Sequence, residues 1–112
     1  MNVSFIMSKE FDKRFKELLL DDECLRTIQN QIIENPYAGD VIQGTNGIRK
    51  IRVNFPNRGK RGSGRTCYIN YLSAGRIYLV TIYGKNVQSD ISPKEKIKLC
   101  QLVNEFEDEL GG

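Results

Sequence analysis

The chain has 112 residues, a net charge of +3, 39% hydrophobic and 28% charged residues, which is ordinary for one soluble domain. No apolar run approaches the roughly 18–20 residues of a membrane span, and the N-terminus lacks the features of a secretory signal. Because histidine is absent and the three cysteines stand far apart, the sequence disfavours a zinc site, a disulfide framework and a Ser-His-Asp triad. We therefore expect a cytoplasmic protein without a metal or cofactor.

The first third of the chain predicts one short strand and two helices. Asn2–Met7 alternates weakly between polar and apolar residues, as a strand does. Ser8 can cap a helix that runs to about Leu20. Its apolar positions fall on one face: Phe11, Phe15, Leu18 and Leu19. After Asp21 and Asp22 a second helix is expected to end before Asn35-Pro36. Its inward positions are Leu25, Ile28, Ile32 and Ile33.

The remainder predicts three strands and a final helix. A glycine-punctuated loop precedes a strand over Ile48–Phe55, and a second loop, PNRGKRGSG, occupies 56–64. Arg65–Leu72 and Arg76–Tyr83 form a hairpin. Ser92 caps the last helix, with Glu95 closing a capping box. The inward stripe of this helix is Ile97, Cys100, Val103, Phe106 and Leu110. The order β-α-α-β-β-β-α predicts a single α+β domain over residues 1–112, with a mainly antiparallel sheet.

Charge is strongly segregated along the chain. Residues 41–89 contain no Asp or Glu but carry nine of the 17 basic groups, whereas the flanking residues hold all 14 acidic ones. The nine are Arg49, Lys50, Arg52, Arg58, Lys60, Arg61, Arg65, Arg76 and Lys85. A solvated surface normally mixes both signs, so a block of one sign indicates a polyanionic partner, most simply a nucleic acid.

The basic block holds the residue types that RNA cleavage needs when histidine is missing. Arginine can hold a phosphate in a bidentate fork, and lysine can stabilise charge or transfer a proton. Metal-dependent cleavage would need paired carboxylates, which the block lacks. Each of these residues could also have no role in RNA cleavage. Lys50, Arg52 and Lys85 could be ordinary surface residues, and Arg65 could belong to a structural ion pair. Tyr68 and Tyr83 could stack on bases or transfer a proton, or they could be core aromatics without a role in cleavage.

Four segments carry a resemblance to a known family. NPYAGDVIQGTNGIRKIRV, GKRGSGRTCYINY, YLVTIYGKN and SDISPKEK, spread over residues 35–99, resemble RelE/HigB-type toxins of bacterial toxin–antitoxin systems, with the HigB-like branch closest. The resemblance implies a RelE-like fold and an endoribonuclease that cleaves mRNA in the ribosomal A site. It also implies a neutralising antitoxin, and we expect the free toxin to be monomeric.

The resemblance assigns roles by position. Arg65 matches the family's catalytic arginine, and Lys85 falls in a segment that supplies another basic catalytic group. Lys50 and Arg52 match paired basic residues, and Tyr83 is a substitute for a C-terminal tyrosine that this chain lacks. The other expected RNA contacts are Arg49, Arg58, Lys60, Arg61, Tyr68 and Asn86. Two alternatives stay open: a ParE-like gyrase inhibitor, and an RNA-binding translation inhibitor that does not cut.

Overall fold

The computed structural model describes residues 2–55, 63–84 and 91–111. Within these ranges the chain forms five strands and three α-helices. In chain order they are β1 (Ser4–Met7), α1 (Lys9–Glu17), α2 (Asp22–Glu34), β2 (Asp40–Val41), β3 (Arg49–Asn54), β4 (Ser63–Tyr71), β5 (Arg76–Gly84) and α3 (Pro93–Gly111). The α+β class predicted from the sequence is confirmed, and the short strand β2 lies where a loop was predicted.

The strands form one sheet in the order β1-β5-β4-β3-β2. Four neighbouring strands run antiparallel, and β1 adds to the edge parallel to β5. The β4–β5 register shifts once: Cys67 pairs with Thr81 and Tyr68 pairs with Leu79, which leaves Val80 as an extra residue. Such a bulge interrupts the ladder. The carbonyl of Val80 accepts a hydrogen bond from the Ser8 hydroxyl at 2.5 Å, so the bulge helps to anchor the start of α1.

Each helix begins after a residue whose side chain accepts a hydrogen bond from a first-turn backbone N–H that has no acceptor within the helix. Ser8 Oγ accepts from Phe11 N at 2.9 Å, and Asp21 Oδ1 accepts from Cys24 N at 3.0 Å. Ser92 Oγ accepts from Glu95 N at 3.1 Å, as predicted. The reciprocal bond of the predicted capping box, from Ser92 N to the Glu95 carboxylate, is not found among the described residues. The Glu95 carboxylate instead accepts a bond from Arg14 Nη2 at 3.2 Å.

Three predicted core positions are exposed. Helix α1 ends at Glu17, and Leu19 follows with φ 57° and 76% exposure, although it was predicted to point inward. Ile33 and Ile97 are 45% and 61% exposed. In α3 the buried stripe is Leu99, Val103 and Phe106, which have helical spacing and leave Ile97 on the outer side. Within the described ranges, no helix is long and apolar enough to cross a membrane.

Helices cover both faces of the sheet. Helices α1 and α2 pack on the first face, where Phe11, Ile28 and Ile32 join Ile51 and Leu79 in one buried cluster. We call this the α2 face. Helix α3 packs on the other, where Phe106 stacks on Tyr78 with ring centroids 4.1 Å apart. We call this the α3 face. Each fully buried aliphatic or aromatic side chain contributes about 1.5–3 kcal/mol.

A group of charged side chains links α1 to the first turns of α3. Glu10 Oε1 lies 2.7 Å from Arg14 Nε and 3.1 Å from Lys98 Nζ, and Arg14 also reaches Glu95. Burial alone raises the pKa of Glu10, but the hydrogen bonds from Arg14 and Lys98 outweigh it and hold that pKa below its usual value. The group therefore stabilises the contact between the two helices at neutral pH.

Candidate functional site

Lys50, Arg52 and Arg65 lie together on the α3 face of the sheet. In the ladder, Arg52 is directly opposite Arg65, and Arg65 is directly opposite Tyr83. Lys50 precedes Arg52 by two residues on β3, so both side chains leave the strand on the same side. Opposed Cβ atoms in an antiparallel pair are about 5 Å apart. The alternation of β3 and its register with β4 thus bring three of the predicted cations into one patch.

The three cations line an open groove of about 480 Å³. Strands β3 and β4 supply Lys50, Arg52 and Arg65, and the other side comes from α2 and the residues leading into β2. We call that other side the β2 side; it consists of Gln31, Ala38, Gly39 and Asp40. Arg52 is exposed, and Lys50 and Arg65 are half-buried. The groove can therefore admit an extended chain from solvent.

The two arginines of the groove have no carboxylate partner among the described residues. The only hydrogen bond that the described residues give the Arg65 guanidinium is to the carbonyl of Gly64 at 3.4 Å. Like charges placed directly opposite on neighbouring strands destabilise a sheet. A phosphate bound between two such arginines would remove that penalty through charge-assisted hydrogen bonds. This local cost to the fold is typical of a site built for an anion.

Cys67 lies beside Lys50 on the α3 face of the sheet, and it pairs with Lys50 on β3 and with Thr81 on β5. Burial raises the pKa of the Cys67 thiol to about 12, although the nearby Lys50 charge acts in the opposite direction. The thiol is therefore protonated at neutral pH and is not a nucleophile for the groove.

Arg49 and Tyr68 point to the α2 face, away from Lys50, Arg52 and Arg65. Arg49 Nη1 donates to the carbonyls of Tyr37 at 2.7 Å and Gly39 at 3.1 Å. Tyr68 is fully buried, and its hydroxyl lies 2.9 Å from the Ala38 carbonyl. Both side chains hold the residues before β2 against the sheet. Tyr68 therefore occupies the position of a core aromatic, and the RNA interface proposed below does not include Tyr68 or Arg49.

The comparison with known proteins decides the family. A family model described as the RelE toxin of the RelE / RelB toxin-antitoxin system matches residues 4–109. The chain belongs to the RelE toxin family. A solved structure of the E. coli toxin RelE, a double arginine-to-alanine mutant in the free state, is similar with a TM-score of 0.56 and 16% identity. That likeness covers 88% of this chain and 97% of the E. coli chain, and it confirms the RelE-like fold.

Several residues predicted for the site of this RelE-family toxin lie outside the described ranges. They are Arg58, Lys60, Arg61, Lys85 and Asn86. Among the described neighbours of these segments, Ser63 pairs with Asn54, and Gly64 pairs with Gly84. These four residues lie at the Arg65 end of the sheet. Tyr83, directly opposite Arg65, is only 7% exposed and belongs to the core beneath α3.

The structure adds residues that the sequence prediction missed. Asp40 is directly opposite Lys50 across β2 and β3, although it lies just before the acid-free block in the sequence. Gln31 of α2 donates from Nε2 to the Arg52 carbonyl at 2.6 Å. Lys96 of α3 shares a second, smaller groove of about 270 Å³ with Lys50 and Asp40. These contacts join residues that are distant in sequence, so no local pattern could have indicated them.

Proposed function

We propose that this RelE-family toxin is an endoribonuclease that cleaves mRNA in the A site of a translating ribosome and thereby inhibits translation. The observation that supports it most is the groove in which Lys50, Arg52 and Arg65 converge, with no described carboxylate paired to either arginine. A phosphodiester is the anion that such a forked, multiply charged site fits.

The proposed chemistry begins with attack of a ribose 2′-oxygen on the adjacent phosphate, as the proton of that hydroxyl passes to water. The new bond from the 2′-oxygen to phosphorus replaces the bond from phosphorus to the 5′-oxygen, which leaves. Negative charge then gathers on the phosphorane, where Arg65 stabilises it with a bidentate fork. Lys50 adds a second positive charge, and Arg52 holds the neighbouring phosphate. Asp40 is the one carboxylate among the described lining residues of the groove, whereas the two-metal mechanism uses several. We therefore propose cleavage without a metal ion.

The roles of the remaining predicted residues belong to the same proposal. Lys85 transfers a proton to the departing 5′-oxygen, which makes that oxygen a better leaving group. Tyr83 was the other candidate for this transfer, but its hydroxyl is buried in the core beneath α3, so we assign the proton transfer to Lys85. The basic groups at positions 58, 60 and 61 contact ribosomal RNA, and Asn86 contacts the mRNA. A cognate antitoxin neutralises the toxin, and the free toxin is a monomeric single domain.

The experiment that tests this function uses purified toxin and ribosomes stalled with a defined codon in the A site. We expect one cut, with a 5′-hydroxyl on the downstream fragment and a cyclic or 3′-phosphate on the upstream fragment. Replacing the 2′-hydroxyl at the cut by hydrogen should abolish cleavage, since the nucleophile is then missing. An mRNA carrying the same replacement at a distant codon is the matched control.

Other outcomes separate the alternatives. A 5′-phosphate product, or unimpaired cutting of the deoxy-substituted mRNA, would contradict 2′-oxygen attack. Translation arrest without new RNA ends would indicate the non-catalytic inhibitor. Inhibition of purified gyrase with intact mRNA would indicate the ParE-like alternative.

A further inference from the structure

The two sides of the groove differ in chemistry. Lys50, Arg52 and Arg65 form a cationic side that suits phosphate, whereas the β2 side has no positive charge and contains the Asp40 carboxylate. A carboxylate repels phosphate, so the sugar–phosphate backbone of a bound RNA is expected to follow the cationic side. The β2 side is then left to face a base.

The β2 side is held rigidly against the sheet. Gly39 has φ 81°, and a Cβ on it would overlap the Lys50 carbonyl oxygen and lie 2.5 Å from Ile51 Cγ2. The main chain therefore lies flush on β3, with no room for a side chain at this point. The two hydrogen bonds from Arg49 and the Tyr68 hydroxyl fix the same residues from beneath. Asp40 is thereby placed at a fixed position beside Lys50.

Gln31 completes this side with a second acceptor. Its Nε2 donates to the Arg52 carbonyl at 2.6 Å, which orients the side-chain amide at the groove. One amide N–H is used by that bond, while the amide oxygen has no donor among the described side chains. The β2 side thus offers acceptor oxygens from a carboxylate and from an anchored amide.

We propose that Gln31, Gly39 and Asp40 form a nucleobase-binding subsite beside the phosphate side of the groove, and that Asp40 makes it prefer guanine over uracil. The subsite proposal rests on the proposed function in one respect, namely that the ligand is RNA. Guanine presents an N–H and an amino group side by side, which can donate to both oxygens of one carboxylate. Uracil presents one N–H between two carbonyl oxygens. If one oxygen of the Asp40 carboxylate accepts from that N–H, the other faces a uracil carbonyl oxygen and is repelled by it.

The subsite can be tested without cleavage, by titrating ¹⁵N-labelled protein with 5′-GMP and with 5′-UMP. The two nucleotides share the phosphate and differ in the base. We expect 5′-GMP to shift the backbone amides of Gly39 and Asp40 and the side-chain amide of Gln31. A bidentate contact to a base is worth about 1–3 kcal/mol, so 5′-GMP should bind at least about fivefold more tightly than 5′-UMP.

Asp40→Asn removes the second acceptor oxygen but keeps the size of the side chain. In this variant the two nucleotides should bind within about twofold of each other, because the shared phosphate contact remains. Asp12→Asn, which removes an exposed carboxylate from α1, should keep the guanine preference.

Equal affinities in the wild-type protein, no shifts at the three amides, or a guanine preference that survives in Asp40→Asn would each overturn the subsite. The outcome is independent of nuclease activity. A guanine preference in a protein that does not cut mRNA would reject the proposed function and support the subsite. Cutting of mRNA without a guanine preference would support the proposed function and reject the subsite.

Discussion

The opposed pair Arg52 and Arg65 should reduce the stability of the free protein. Their Cβ atoms are about 5 Å apart in an antiparallel pair. Because the two side chains are long and repel each other, we take a separation of about 7 Å between the guanidinium groups for the calculation. At that distance the Coulomb repulsion is about 0.6 kcal/mol in bulk water and about 2.4 kcal/mol at an effective dielectric constant of about 20. Arg52 is exposed and Arg65 half-buried, so we expect about 0.5–1 kcal/mol.

A double-mutant cycle isolates this repulsion. Arg52→Gln, Arg65→Gln and the double variant are unfolded in urea, which leaves the ionic strength unchanged. At about 0.01 M salt, where the Debye length is about 30 Å, the coupling should be unfavourable by about 0.5–1 kcal/mol. At about 1 M salt it should fall close to zero.

The matched control is a cycle between Arg65 and Arg76. Arg76 is at the opposite end of β5, directly opposite Tyr71, so its coupling to Arg65 should be near zero at both salt concentrations. A favourable coupling between Arg52 and Arg65, or one that does not respond to salt, would refute the reasoning. It would mean that an anionic group already separates the two side chains.

Three further predictions concern backbone strain and charge. Gly39→Ala should lower the unfolding free energy by about 2–4 kcal/mol, because it adds a clash to a left-handed backbone. Gly44→Ala is the control: Gly44 has φ 82° but no atom within 4 Å of an added Cβ, so the loss should be about 1 kcal/mol. Equal losses for the two variants in urea unfolding would contradict this reasoning. Leu19→Gly should raise it by about 0.5 kcal/mol, since glycine suits the position after a helix, and a loss above about 1 kcal/mol would show that Leu19 packs. The lowered pKa of Glu10 means that its contribution is present above the unfolded-state pKa of about 4.3 and is lost as pH falls below it. The stability difference between wild type and Glu10→Gln should therefore shrink in acid, and a difference that is constant from pH 7 to about pH 3 would contradict the assignment.

The sequence predicts the elements of this fold because most of them have strong local signals. Ser8, Asp21 and Ser92 each cap a helix where the pattern places one. Strand β2 was missed because it spans two exposed residues and is defined only by its pairing with β3. Leu19 was misplaced because helical periodicity does not reveal where a helix ends.

The sequence predicts which site residues share a face of one strand, but it does not predict which residues of different strands and helices lie next to each other. Alternation along β3 places Lys50 and Arg52 on one side, and the composition of the block indicates an anionic ligand. The register that puts Arg65 opposite Arg52 depends on the β3–β4 pairing, which no local pattern specifies. Arg49 was grouped with its basic neighbours, although its guanidinium holds the residues before β2 on the other face.

The most direct test of the groove as a nuclease site is the mapping of new 5′ ends in cellular mRNA after brief induction of the toxin. Wild type should generate cuts within translated codons and arrest growth, and Arg65→Gln should do neither while remaining folded in urea unfolding measurements. Arg76→Gln removes the same charge at the far end of the sheet and should cut as wild type does. Undiminished cutting by Arg65→Gln, or equal loss of cutting in both variants, would contradict the central role of the groove.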